Sequence, residues 1–195
     1  SERVNQHYLS LNKPSLELET EYVADIFMIG DKKKQYAFRE VISESKRKVK
    51  VKGFGMKKRD TSIMSKNLCK RVLSTIIPDH GIPSSIEDVM DTSLKVISDY
   101  LQTMIDNTAP IQDYAMTKKL SRSVNNYKQQ NAIHVNLAIR EIQRCEEERR
   151  RPPGTGDRLT FIIGYHPKRK IYQCGHLLKD AEQNRNIRPD RLYYL

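Results

Sequence analysis

The stretch from Ser84 to Ile105, SSIEDVMDTSLKVISDYLQTMI, decides the fold class of this chain. Its apolar residues Ile86, Val89, Met90, Leu94, Ile97, Leu101, Met104 and Ile105 recur at the spacing of three and four that lines one side of an α-helix. Pro83 and a Ser84-x-x-Glu87 capping box mark its start, and Asn107 and Pro110 its end. Working outward, Met64, Leu68, Val72 and Ile76 fall four apart ahead of Pro78, which predicts a second helix from Ile63 to Ile76 with Asp60 or Ser62 as its cap. Val135, Ala138, Ile139, Ile142 and Cys145 predict a third over about Ile133 to Glu147, and the three apolar faces are expected to share one core. Strands are expected at Glu21 to Met28, Gln35 to Glu40, Val49 to Phe54, Leu159 to Gly164 and Lys170 to Cys174. The last two read as a hairpin through the basic turn Tyr165-His166-Pro167-Lys168-Arg169. The fold class is therefore α+β, with a β-rich part over residues 1–60 and a mainly helical part with a small β element over residues 61–195.

Charge separates along the chain more sharply than its total suggests. With 35 Lys and Arg against 24 Asp and Glu in 195 residues, the net charge is +11, which favours a polyanionic partner. Residues 31–70 hold 14 basic and 4 acidic side chains, a net of +10, while residues 71–116, which contain the long helix, hold 2 and 7, a net of −5. Residues 117–151 return to +5, with 9 basic and 4 acidic side chains. No run approaches the roughly 20 apolar residues of a membrane span. Cys69, Cys145 and Cys174 are odd in number and far apart, which argues against a disulfide framework or a zinc site and favours a reducing compartment. No phosphate-binding glycine loop, nucleophile elbow or histidine pair at metal spacing is present, and Asp88/Asp91 and Glu146-Glu147-Glu148 read as solvated helix faces. The opening Ser1-Glu2-Arg3 and the closing Tyr193-Tyr194-Leu195 read as the ends of an excised piece of a longer protein.

Three basic segments carry the functional reading. Asp31-Lys32-Lys33-Lys34-Gln35-Tyr36 sets ammonium groups beside an aromatic at the start of a strand, a combination suited to phosphates and a sugar or base edge. Gly55-Met56-Lys57-Lys58-Arg59-Asp60 leads into a helix. Thr117-Lys118-Lys119-Leu120-Ser121-Arg122, Tyr127-Lys128 and His134 place cations and hydroxyls ahead of another, an arrangement that fits backbone-phosphate binding. From the residues alone, a basic nucleic-acid-binding module without catalysis is the reading.

In their order these segments resemble the C-terminal half of family B DNA polymerases, the group of eukaryotic replicative and large DNA-virus enzymes. Lys33-Lys34-Gln35-Tyr36-Ala37 is similar to the family's K-K-R-Y motif, and Gly55 through Asp60 to its G-x-x-x-[RK]-R-D stretch. Tyr114 through Arg122 resembles L-V-I-T-K-x-L-[ST]-[RK], and His134-Val135 falls where a P-H-V helix begins. Gly156-Asp157-Arg158-Leu159-Thr160-Phe161-Ile162-Ile163 resembles G-D-R-[IV]-x-Y-V-I, and Asp190 through Leu195 resembles D-x-x-Y-Y-[IL]. Two departures stand out: Gln35 replaces a basic residue, and Ala132-Ile133 precede His134 where proline is frequent.

The resemblance implies the end of the palm over residues 1–60 and the thumb over residues 61–195, gripping primer-template DNA during template-directed nucleotidyl transfer. It implies DNA contacts from Lys33, Lys34, Tyr36, Lys58, Arg59, Lys118, Lys119, Arg122, Tyr127, His134 and Arg158. The family's D-T-D and S-L-Y-P carboxylates lie upstream of the matched region, and this chain contains no Asp-x-Asp. The parent's Mg²⁺ ions are thus expected on residues outside this chain, which by itself should bind none and should not polymerise. The other partners implied are the remaining palm, fingers and exonuclease regions and a sliding clamp or processivity factor, with no membrane. The implied setting is the nucleus, or a cytoplasmic replication site for a virus. The competing readings are a free-standing DNA- or RNA-binding or structural module and a polymerase-like scaffold.

Overall fold

The computed structural model describes residues 6–7, 10–11, 19–106, 108–129 and 131–194, so Asn107 and both chain ends, which figure in the expectations above, lie outside the described residues. Strands β1 (Ala24–Ile29), β2 (Tyr36–Val41) and β3 (Arg47–Lys52) form an antiparallel meander. Phe27 pairs with Phe38, and Phe38 with Lys50. Strand alternation then sorts the side chains. Ile26, Met28, Ala37, Val49 and Val51 pack with Leu73 and Ile77 into a first core, whereas Phe27, Tyr36, Phe38, Lys50 and Lys52 occupy the opposite face.

Helix α1 (Ile63–Ile76) belongs to two cores. Leu73 and Ile77 at its end lie against the first sheet, and Met64 at its start enters a second core built around Tyr114, Leu137, Phe161 and Ile162. Of the two expected caps, Ser62 is the one used, and its buried hydroxyl accepts from the Ser65 N–H at 3.1 Å. Helix α2 (Ile86–Ile105) starts one residue later than the capping box suggests, with Ser85 accepting from the Asp88 N–H.

The three helices share one core, as expected: Met64 of α1, Met104 of α2, and Leu137 and Ala138 of the helix over Ile133–Glu147 are all buried in the second core, but most of the α2 stripe stays outside it. Helix α2 packs on α1, where the Thr75 and Ser93 hydroxyls meet at 2.7 Å, and sends Met104 into the second core. Its residues Ile86, Met90, Leu94 and Ile105 stay exposed, Ile86 at 76% and Leu94 at 60%. The reason is geometric: the apolar arc of α2 is wider than one neighbouring helix covers, and α1 takes only the side bearing Ser93, Tyr100 and Met104.

The second core rests on a small antiparallel sheet in the order β4 (Met116–Lys119), β5 (Arg158–Ile163), β6 (Gly175–Leu177). Helix α3 (Ile133–Glu147) lies against β5 and β6 and buries Val135, Leu137, Ala138 and Cys145. Two short helices, α4 (Leu178–Gln183) and α5 (Arg191–Tyr194), complete the chain. The expected strand at Lys170–Cys174 is instead a 3-10 turn over Ile171–Gln173, closed by the Gln173 side chain accepting from the Lys170 N–H. The partner of β5 begins only at Gly175, where a Cβ would sit 2.8 Å from the Ile133 side chain. Glycine lets α3 approach the sheet at that point. The Tyr194 hydroxyl accepts from the buried Ile163 N–H at 2.8 Å, tying α5 to the central strand.

Candidate nucleic-acid interface

Lys33 and Lys34 are exposed in the β1–β2 turn, and Lys34 adopts the left-handed conformation with φ 65°. Gln35 holds this turn from both ends. Its carbonyl accepts from the Gly30 N–H, its side-chain oxygen from the Lys32 N–H, and its side-chain amide donates to the Gly53 carbonyl at 3.4 Å. Gly53, at φ 78°, brings the end of β3 so near that a Cβ there would lie 2.4 Å from the Lys34 carbonyl oxygen. A neutral amide can accept and donate at once, which a cation cannot. The departure at Gln35 thus gives up a charge and gains a tie between the lysine turn and the chain leading to Gly55–Asp60.

Tyr36 lies on the outer sheet face, stacked on Phe27 and Phe38 at centroid distances of 6.0 and 6.1 Å, with Lys52 Nζ 5.6 Å from its ring centre. Lys50 sits 3.6 Å over the Tyr22 ring and pairs with Glu40 at 3.0 Å. Lys50 and Lys52 had no place in the sequence-based set. Their signal was present in the alternation Lys48-Val49-Lys50-Val51-Lys52, which puts every second side chain of one strand on one face.

Residues 59–63 run beside the start of β4: Thr117 N–H donates to the Arg59 carbonyl at 2.9 Å and Ile63 N–H to the Ala115 carbonyl at 3.3 Å. This juxtaposition carries exposed Lys58 and Arg59 to the third basic segment and pairs Asp60 with Lys118 at 2.7 Å. Hydrogen bonding to Lys118 holds the Asp60 carboxyl below the usual carboxylate range. The string continues through His134, whose pKa is lowered by burial and then by the Lys118 charge. His134 meets Tyr127 edge to face at 5.7 Å, and Arg122 lies 5.7 Å from the Tyr127 ring centre. The Tyr127 hydroxyl accepts from the Ser121 N–H at 2.8 Å, which fixes the loop carrying Arg122.

Lys118 and Lys119 part company. Consecutive residues of a strand project to opposite faces, so Lys119 joins Arg158, its cross-strand partner, on the side where Thr117 and Thr160 hydroxyls meet at 3.0 Å. The candidate residues therefore divide into a string, Arg59-Asp60-Lys118-His134-Tyr127-Arg122, next to the Lys33/Lys34 turn in the fold's connectivity, and a separate Lys119/Arg158 pair. Among the described residues, no group of three or more His, Cys, Asp or Glu side chains could hold a metal ion, and no helix is long and apolar enough to cross a membrane.

The family model for DNA polymerase family B matches residues 1–195. The chain belongs to that family. It is 29% identical over 181 residues to the DNA polymerase delta catalytic subunit of Arabidopsis thaliana, covering 92% of this chain and 15% of the relative. It is 21% identical over 178 residues to the DNA polymerase catalytic subunit of Elephantid herpesvirus 1, covering 83% of this chain and 16% of that protein. The fold matches the family B DNA polymerase of the archaeon Pyrobaculum calidifontis with a TM-score of 0.67 at 16% identity, over 99% of this chain and 22% of the other. This family B chain thus spans about a sixth of the length of these two curated relatives. The α+β class read from the sequence is the class observed.

Proposed function

We propose that this chain is the part of a DNA-directed DNA polymerase that grips the primer-template duplex, with residues 1–60 closing the palm and residues 61–195 forming the thumb. Lys33, Lys34 and Tyr36 hold the primer strand near its 3′ end, and Lys58, Arg59, Lys118, Arg122, Tyr127 and His134 hold the backbone behind it. The observation that carries this reading is the string from Arg59 through Asp60, Lys118, His134 and Tyr127 to Arg122. Through it, segments far apart in sequence become one basic surface with hydroxyl and imidazole groups between the cations. Such groups bind phosphates without reading bases, which suits an enzyme that must accept every sequence.

The parent's reaction is attack of the primer 3′-hydroxyl on the α-phosphorus of a nucleoside triphosphate with release of pyrophosphate. Two Mg²⁺ ions on carboxylates outside this chain supply the charge stabilisation. The residues here bind and orient the duplex. In the full-length polymerase, the six cations Lys33, Lys34, Lys58, Arg59, Lys118 and Arg122, each on a phosphate, give a slope of about −5 in log K against log[salt], and Lys118→Ala or Arg122→Ala each lowers its magnitude by about 1. A slope near zero overturns the grip.

A further inference from the structure

We infer that Arg39 is a positioning residue for the duplex grip: its buried guanidinium latches the first sheet to the loop between α1 and α2 and so fixes how the sheet, with its Lys33/Lys34 turn, is set relative to the Lys118 surface at the start of α1. This inference rests on the grip reading above.

Arg39 occupies a core-facing position of β2 and is only 3% exposed. A buried guanidinium is costly unless its donors are met, and here four of its five N–H groups have partners. Nε and Nη2 donate to the two carboxylate oxygens of Asp25, each at 2.9 Å, and Nη1 donates to the Pro78 carbonyl at 2.7 Å and the Gly81 carbonyl at 2.6 Å. Asp25 is itself held by Arg47 at 3.0 Å, so the fork is braced on its far side. Gly81, at φ 71° with open space around it, turns the loop so that its carbonyl can meet the fork. An aliphatic side chain would fill the same core position. What it could not do is tie a strand to two loop carbonyls about forty residues away.

The latch matters because of what α1 connects. The helix has 14 residues, about 21 Å of rigid rod. Its last turn rests on the first sheet beside the latch, and its first turn lies where Arg59, Asp60 and Lys118 come together. The first turn is anchored by Met64 in the second core and by the Ile63 N–H on the Ala115 carbonyl, so packing alone at the other end would leave the first sheet able to pivot on the helix. Four directional hydrogen bonds at the adjoining loop remove that freedom, and without them a small tilt of the sheet changes the spacing between the Lys33/Lys34 turn and the Lys118 surface.

The test uses the full-length polymerase with Arg39→Lys, which keeps the charge and loses the fork, and the double variant Arg39→Leu/Asp25→Leu. The double variant replaces the buried pair by apolar side chains, an exchange that cores often tolerate. Stopped-flow release of a labelled primer-template is expected to quicken about 5-fold or more. Nucleotides added per binding event should fall in proportion, while single-turnover incorporation at saturating DNA stays within 2-fold. Unchanged release from either folded variant overturns the latch, and so does loss of incorporation at saturating DNA. Failure of both variants to fold reduces Arg39 to a structural residue and also overturns it. Lys118→Ala measured alongside separates the two readings. If it speeds release and the Arg39 variants do not, the latch alone is wrong; if none of the variants does, the grip is wrong.

Discussion

His134 shows how one half-buried imidazole would set the chemistry of the proposed interface. Burial and the neighbouring Lys118 charge lower its pKa from the usual 6.5, so at pH 7 it is neutral and offers a hydrogen bond, not a charge. Duplex affinity of the full-length enzyme at fixed salt should therefore be flat from about pH 7 to 9, since Asp60, with its lowered pKa, stays ionised throughout. As pH falls well below 6.5, His134 gains a proton and affinity should rise, and His134→Gln should abolish that rise. A fluorescence-anisotropy titration across this range checks it. A rise that survives His134→Gln would show that another group carries it.

At the scale of elements, α2 and α5 make opposite demands. Helix α2 carries Glu87, Asp88, Asp91 and Asp99 on exposed positions and packs on α1, while the basic string lies at the start of α1 beside β4. Carboxylates within a Debye length of about 8 to 10 Å would repel a phosphate backbone, so α2 is expected to form the back of the grip. Asp91→Lys and Asp99→Lys should each change duplex affinity less than about 2-fold, whereas Lys118→Glu should weaken it at least about 10-fold. The reverse ranking in a binding assay would exchange the two faces. Helix α5 is short but holds β5 through Tyr194. Tyr194→Phe leaves the buried Ile163 N–H without its acceptor, at a cost of about 1–3 kcal/mol. Hydrogen exchange of the β5 amides measures it, and unchanged protection at Ile163 would mean the N–H finds another acceptor.

The whole molecule is basic, and its stability is expected to respond to acid in two steps. His134 and His176 both have pKa values lowered by burial, so the unfolded chain binds their protons more readily than the folded one. Their contribution to stability is present above about pH 6.5 and is lost as pH falls through the lower folded values. Asp25 is held down to about 2 by its hydrogen bonds to Arg39 and Arg47, so its contribution is present above the ordinary 3.8 and is lost between there and about pH 2. Thermal melts should show a first decline below about pH 6.5 that His134→Gln/His176→Gln flattens, and a second near pH 3 that Asp25→Asn flattens. A single decline unaffected by the histidine substitutions would show that these imidazoles do not contribute.

The sequence by itself determined the helices Ile63–Ile76, Ile86–Ile105 and Ile133–Glu147, the three strands of the first sheet within a few residues, and the basic segments with their family. These are local quantities: a period of 3.6 or 2, a cap, a proline and a run of charge are all written in neighbouring residues. Only the tertiary structure decided which face of α2 is covered, that Met116–Lys119 is a strand, that Lys118 and Lys119 diverge, and that Asp60 belongs to a cation and not to a helix cap. It also revealed Arg39, which sequence pattern treats as an ordinary charge on a strand. Pairing of Arg39 with Pro78 and Gly81, or of Asp60 with Lys118, joins residues about forty to sixty positions apart. Such pairings depend on how the two sheets are held by α1, and neither periodicity nor composition encodes a contact between segments that meet only after the cores have packed.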